Sequence, residues 1–169
     1  MDLLLVVRPT VPNRMSRIIL VPHDGYEMSD KALKYAIEIA KGLNMKIKLI
    51  RAVEEVLDAS TMSHWNNIER ARVKREVEKH RAKIREKEYK KLEKLASLSN
   101  SRGIEASSSL VLEGDAAKKI ILTIKKEKPY LVVIGSNRLK LKGLSKIRAL
   151  GSVARKLSEK SPHPVLIIK

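Results

Sequence analysis

Short runs of apolar and β-branched residues recur along the chain and alternate with stretches of helical periodicity. Two such runs are 17–22, which ends at a proline, and 130–134. Continuous runs of this kind are typical of strands buried on both faces. From Ala32 to Ala40 the apolar residues instead follow helical spacing until Gly42 ends the pattern. The other predicted elements are strands at 46–53, 104–112 and 164–168 and helices at 63–97, 116–126 and 153–159.

The order of these elements predicts the fold class. Strands that alternate with helices pair in parallel and are joined by right-handed crossovers. We therefore expect an α/β fold with a doubly wound, five-stranded parallel sheet, formed by one domain over residues 15–169. Residues 1–14 contain two prolines and precede the first convincing strand. We interpret them as an N-terminal extension, either disordered or belonging to a start upstream of Met15.

Composition narrows the classes of function. The chain has no cysteine, which excludes disulfides, thiolate metal sites and cysteine nucleophiles. Its many Lys, Arg and Glu residues also favour an intracellular protein from a heat-adapted source. No segment approaches the roughly 20 apolar residues of a membrane-spanning helix. We therefore expect a cytoplasmic protein without a membrane partner.

The net charge of +17 allows two interpretations. Clustered Lys and Arg attract polyanions, but a solvated surface can also carry surplus lysine. The predicted helix 63–97 is the most basic segment, and its interleaved glutamates support an exposed helix. Only 3% of residues are aromatic, so few side chains are available to stack on nucleic-acid bases. The helix is thus either a solvated surface or a binding surface for an acidic protein or nucleic acid.

Polar and glycine residues follow two of the predicted strands at their carboxyl ends. His23 and Asp24 follow the first strand, and Gly135-Ser136 follows the fourth. In open α/β sheets, ligands bind outside the carboxyl ends, where the strand order reverses. A helix that begins near Gly151-Ser152 would direct its free N–H groups at an anion there. The alternatives are local ones, with Asp24 as a turn residue and Gly151-Ser152 as a helix cap.

Four blocks of sequence, in this order, resemble the universal stress protein family over about residues 15–169. They are 18–25, 131–136, 151–153 and 161–168. The resemblance implies a Rossmann-like fold, similar to adenine nucleotide alpha hydrolases, with strand order 3-2-1-4-5. It further implies a homodimer formed through an edge strand, here Pro164 to Ile168. Some members of the family bind ATP, which Mg²⁺ would accompany, while others have lost the nucleotide site.

The resemblance also assigns roles to residues. Pro22 and Asp24 would face adenine and ribose, and His23 departs from the small residue that is common at its position. The ATP-binding members share a pattern of Gly, two residues, Gly, nine residues, Gly, then Ser or Thr. The residues that this pattern and its neighbourhood nominate for nucleotide binding are Pro22, His23, Asp24, Val53, Gly135, Ser136, Arg138, Gly143, Gly151, Ser152 and Val153.

The middle of the pattern departs from the family. Arg138 stands where the second glycine belongs, and the segment up to Gly151 is three residues longer, with Gly143 as an alternative glycine. The side chain of Arg138 removes the close approach of the backbone, although its guanidinium could itself hold a phosphate.

Two functions follow from these observations. The first is a non-catalytic regulatory protein of the stress response that binds ATP or a related adenine nucleotide; we see no general base, although the sequence leaves slow hydrolysis open. The alternative is an interaction module that binds an acidic protein or nucleic acid through its basic loop and helix. The four histidines lie scattered without partners at ligand spacing, so we expect no metal site.

Overall fold

A computed structural model describes residues 3–6, 16–53, 66–136 and 150–169. Its elements alternate between strand and helix from β2 onwards. In chain order they are β1 (Leu3–Val6), β2 (Ser16–Pro22), α1 (Glu27–Leu43), β3 (Lys46–Val53), α2 (Asn67–Asn100), β4 (Ala106–Glu113), α3 (Ala116–Glu127), β5 (Pro129–Gly135), α4 (Ser152–Lys160) and β6 (Val165–Ile168).

These strands form one six-stranded sheet in the order β1-β6-β5-β2-β3-β4. The five strands from β2 to β6 pair in parallel. Counted from β2, their order is 3-2-1-4-5, which confirms the predicted doubly wound sheet. The order reverses between β2 and β5, because the chain first builds the sheet towards β4 and then returns to the other side of β2.

Two apolar cores, one on each face of the sheet, explain the continuous apolar runs. Along β2, Ile19 and Val21 belong to the core under α1 and α2, whereas Leu20 belongs to the core under α3 and α4. Successive side chains of a strand point to opposite faces, so a strand covered by helices on both sides needs apolar residues at every position. All three side chains are fully buried.

The strand β1 corrects two expectations. Leu3–Val6 pairs antiparallel with β6, from Leu3 opposite Ile168 to Val6 opposite Val165. Part of the segment 1–14, which we interpreted as an extension, therefore belongs to the sheet, while residues 7–14 and Met15 lie outside the described residues. The prediction that the strand at 164–168 is an edge strand is wrong, because β1 lies beyond it.

The helix α2 has 34 residues and is thus about 51 Å long. An Asn66–Glu69 capping box begins it, since Asn66 accepts from the N–H of Glu69 and the Glu69 carboxylate accepts from that of Asn66. Its buried side chains all lie in its C-terminal part, at Glu88, Leu92, Ala96 and Ser99. Ile68, in the first turn of this helix, is 82% exposed.

The helix α1 begins at Glu27, so Ser29, whose residue type would suit an N-cap, is not its cap. Ser29 lies inside its first turn, where the hydroxyl donates to the Tyr26 carbonyl at 2.7 Å. Tyr26 occupies the N-cap position instead. Among the helices in the described ranges, none combines the length and the apolar character needed to cross a membrane.

Candidate functional site

A cavity of about 90 Å³ lies at the carboxyl ends of β2 and β5, where the strand order reverses. Ligand pockets usually occupy about 300–1,000 Å³, so a nucleotide would extend well beyond these walls. Next to the cavity, Ser136 at the end of β5 contacts Gly151 at the start of α4. The lining residues are Pro22, His23, Asp24, Ser29, Ala52, Ala116, Ile120, Ile134, Gly135 and Val153.

His23 organises the loop between β2 and α1. Its ring is 4% exposed. The Gly25 N–H donates to Nδ1 at 3.2 Å, so Nδ1 carries no proton and Nε2 donates to Asp30 at 3.0 Å. Burial lowers the pKa of His23 below its usual value of 6.5, and Arg51 acts in the same direction, while Asp30 and Asp24 oppose the change. The ring is therefore neutral at neutral pH, and the hydrogen bond from Gly25 requires this because Nδ1 must accept it.

Arg51 connects this loop to α2. A β-carbon on Gly25 would lie 2.9 Å from the Arg51 guanidinium, so the side chain packs against the glycine backbone. The same guanidinium pairs with Glu88 of α2 at 2.7 Å, and Lys91 pairs with the other oxygen of Glu88 at 2.8 Å. Both members of the Arg51–Glu88 pair are largely buried, and removing one partner of such a pair leaves a costly uncompensated charge.

Asp24 makes the local turn contact that the sequence offered as one of its two roles, and it also lies at the cavity. Its carboxylate accepts a hydrogen bond from the Tyr26 N–H at 3.0 Å, which is the expected turn contact. The residue also lines the cavity and is exposed. One carboxylate oxygen is thus used locally, and a carboxylate can accept further hydrogen bonds.

Gly135 is required by packing. A β-carbon at this position would lie 2.3 Å from the Met28 carbonyl oxygen and 2.8 Å from the Ser29 nitrogen. Both neighbours are backbone atoms of the first turn of α1, which therefore passes directly over the end of β5. The family pattern nominates Gly135 because a phosphate would come close to its backbone. In this structure the close contact with α1 already requires a glycine there.

Ser136 joins β5 to the start of α4. Its hydroxyl accepts from the Gly151 N–H at 2.9 Å, and its own N–H donates to the Ile168 carbonyl at 2.8 Å. The Gly151 N–H is thus already occupied. Gly151 is the N-cap residue and has no side chain with which to accept from the first turn of α4.

Ser152 and Val53 lie apart from this cavity. Ser152 borders a neighbouring cleft of about 400 Å³, which it shares with Gly114, Asp115 and Lys156. Val53 ends β3, and its carbonyl accepts from the Gly114 N–H at 3.1 Å. Ala52 lines the cavity in its place.

Asp115 and Lys156 form an ion pair in the neighbouring cleft, so their charges balance each other. Asp115 caps α3 by accepting from the Lys118 N–H at 2.9 Å, and its other oxygen pairs with Lys156 at 3.2 Å. The N–H bond and the Lys156 contact lower the pKa of Asp115, so the carboxyl is ionised at neutral pH. An anion in this cleft would meet this carboxylate together with Lys156.

The apolar wall of the cavity carries no signal in the sequence. Ala52, Ile120 and Ile134 are ordinary core-type residues, and only their position near a strand end or helix start could have marked them. Arg138 and Gly143 lie outside the described residues. Within the part of the chain that the structure describes, no group of three His, Asp or Glu side chains could hold a metal ion.

The sheet and its cleft define a doubly wound α/β protein whose candidate site lies at the reversal of strand order. A model of the universal stress protein family matches residues 15–169. The chain belongs to this family.

A curated relative agrees with that assignment, and solved structures share the fold. Universal stress protein YxiE from Bacillus subtilis is 28% identical over 152 residues, which are 89% of this chain and 97% of the relative. A universal stress protein solved in complex with cAMP has a TM-score of 0.61 at 18% identity, covering 92% of this chain and 98% of its own. The Archaeoglobus fulgidus protein in complex with dAMP has a TM-score of 0.54 with the same identity and coverage.

We expect Gly135→Ala to lower the free energy of unfolding by about 1–3 kcal/mol, because the new methyl group meets backbone that cannot move aside cheaply. Gly42→Ala is the matched control, since nothing lies within 4 Å of its β-carbon and alanine favours the helix. Chemical denaturation should give a stable or slightly stabilised Gly42 variant. Equal stability of both variants would show that α1 does not approach β5 this closely.

The lowered pKa of His23 predicts a pH dependence. The unfolded ring binds a proton below its usual pKa of 6.5 while the folded ring stays neutral, so stability falls as the pH drops through this value. The loss cannot exceed about 1.4 kcal/mol per pH unit. Urea titrations at about pH 7.5 and about pH 5.5 should show a smaller loss for His23→Gln than for the natural chain.

The comparison with His23→Gln is needed because burial lowers the pKa of His163 as well. His163 contributes the same background to both chains, so the difference between them belongs to His23. An equal loss in the two chains would mean that His23 is protonated in the folded protein.

Proposed function

We propose that the protein is a non-catalytic regulatory protein of the stress response that binds an adenine nucleotide in the cavity between β2 and β5. The single observation that carries the proposal is the meeting of Asp24, an apolar wall and the start of α4 at the reversal of strand order. The nucleotide class is ATP or a related adenine nucleotide.

The cavity wall supports an adenosine end of the ligand. Ala52, Ile134 and Val153 offer an apolar surface for a base, and Asp24 offers a carboxylate for ribose hydroxyls. Related structures solved with cAMP and dAMP support the same ligand class. Each of these ligand contacts stays a prediction, as do those of Val53, Arg138 and Gly143.

The phosphate end has fewer donors than the family pattern implies. The Gly151 N–H is occupied by Ser136. In the first turn of α4 this leaves the N–H of Val153, which lines the cavity, and that of Ser152, which borders the neighbouring cleft, to face an anion. Mg²⁺ would be held chiefly by the phosphates and water, as is usual for this ion. These residues suit a monophosphate better than the family's triphosphate arrangement.

The proposal predicts that an adenine nucleotide binds and that Asp24→Asn weakens binding about tenfold or more, because a charge-assisted hydrogen bond is lost. Isothermal titration with ATP, AMP and cAMP, each with and without Mg²⁺, measures this. Glu38→Gln is the matched control, an exposed carboxylate of α1 that does not line the cavity. No heat and no thermal shift at millimolar nucleotide would refute the proposal.

A second function is favoured by the first part of α2. No side chain from 67 to 87 is buried, so this stretch presents its charges to solvent. Nine of its residues are basic and four acidic. Such a surface suits a polyanion, either nucleic acid or an acidic protein, bound with counterion release. Several of these charges already form pairs within the helix, such as Arg85 with Glu78 at 2.6 Å.

For this second function we expect oligonucleotide binding that weakens steeply with salt and is reduced by Lys83→Glu/Lys87→Glu. The matched control is Lys125→Glu/Lys126→Glu, which makes the same charge change at the end of α3. Fluorescence anisotropy across a salt series measures both. Equal effects of the two variants would mean that net charge, and not α2, attracts the polyanion.

A further inference from the structure

Arg51 contacts the loop that carries Asp24 but does not itself line the cavity. Its neighbour in β3, Ala52, does line the cavity, and neighbouring residues of a strand face opposite sides of the sheet. The Arg51 side chain accordingly lies on the face that α2 covers, where it pairs with Glu88 at 2.7 Å. Arg51 is thus placed to act on the loop and not on a ligand in the cavity.

The contact between Arg51 and the loop is a close one. A β-carbon on Gly25, the residue after Asp24, would lie within 3.4 Å of three guanidinium atoms of Arg51, the nearest being Nη1 at 2.9 Å. Gly25 has a φ of +87°, in the left-handed region that favours glycine. The guanidinium therefore packs against the backbone of a turn whose conformation already requires a glycine.

The remaining hydrogen bonds of this turn join its residues to one another. The Gly25 N–H donates to the ring of His23 at 3.2 Å, and the Tyr26 N–H donates to the carboxylate of Asp24 at 3.0 Å. Such local bonds define the shape of the turn. The contact with Arg51 instead joins Gly25 to β3 and, through Glu88, to α2.

Glu88 holds the Arg51 guanidinium in its place beside Gly25. The Glu88 side chain is buried, and its second carboxylate oxygen pairs with Lys91 at 2.8 Å. Solvent and salt screen a buried ion pair much less than an exposed one. The guanidinium is therefore restrained by a strong electrostatic interaction with a long helix, and the loop that packs against it is restrained as well.

We propose that Arg51, held by Glu88, is a positioning residue that keeps Asp24 in the orientation in which it binds the ribose of a nucleotide. Arg51 acts through the loop and makes no contact with the ligand. The helix α2 thus contributes to the nucleotide site, although none of the residues that line the cavity in the described structure comes from it. The inference rests on the proposed function for its ligand.

The first experiment needs no nucleotide. Glu88→Gln removes the charge that holds Arg51 and keeps the shape of the side chain. We expect the N–H groups of Gly25 and Tyr26 to exchange with solvent about threefold faster or more, because the loop opens more often. Hydrogen exchange followed by NMR measures each N–H separately.

Glu93→Gln is the matched control, since it makes the same change at an exposed carboxylate of the same helix. Both exchange rates should stay as they are in the natural chain. Unchanged rates in Glu88→Gln, or an equal acceleration in the two variants, would overturn the proposal.

The second experiment uses Arg51→Lys and titration with AMP. Lysine can keep the ion pair with Glu88, but its compact ammonium group cannot pack against Gly25 as the planar guanidinium does. We expect the affinity for AMP to fall about fivefold, while chemical denaturation shows a stability close to that of the natural chain. A purely structural role of Arg51 would leave the affinity of the folded protein unchanged.

The same change in an Asp24→Asn background shows how Arg51 acts. If Arg51 works through Asp24, Arg51→Lys should cost little further affinity there. A fivefold loss in both backgrounds would mean that Arg51 acts on the nucleotide without Asp24, and this would overturn the proposal.

The two proposals fail in different ways. A natural chain that binds no nucleotide refutes the proposed function, and with it the ligand of this inference. A natural chain that binds AMP, together with full affinity in Arg51→Lys, refutes the positioning role alone.

Discussion

The first turn of α1 crosses the end of β5 so closely that no side chain fits between them. A β-carbon on Gly135 would lie 2.3 Å from the Met28 carbonyl oxygen. Because α1 must begin at this place, the loop that leads into it crosses the carboxyl end of the sheet. His23 and Asp24 lie in that loop and form one wall of the cavity. The site therefore depends on a contact between two backbones.

Hydrogen bonds from two buried side chains hold the site in shape, while most of the positive charge lies elsewhere. The His23 ring links Gly25 to Asp30, and the Ser136 hydroxyl holds the Gly151 N–H. Both side chains are buried, where a hydrogen bond is strong and an unpaired group is costly. The excess of positive charge is concentrated on solvent-facing surfaces such as the first part of α2. The chain can thus carry a large net charge without disturbing the cleft.

Local signals predicted the parallel sheet and several residues that line the cavity, but not Ala52, Ile120 and Ile134 in its apolar wall. Apolar runs mark strands that helices cover on both faces, and strand ends in such a sheet carry the ligand site. Val53 was predicted to line the cavity, but its neighbour Ala52 does so. Neighbouring residues of a strand face opposite sides of the sheet, so only one of the two can face the cavity. Nothing local in Ile120 distinguishes a cavity wall from core. Ser29 resembled a cap by residue type, yet the helix begins earlier.

The sequence by itself determined the order of elements, the two buried faces of the sheet and the family, since each depends on residue type and spacing along the chain. Only the tertiary structure decided that Gly135 lies against the first turn of α1 and that the Ser136 hydroxyl accepts from the Gly151 N–H. It also decided that Leu3–Val6 covers β6. These are contacts between segments far apart in the chain, and no local pattern encodes which distant backbone will meet which.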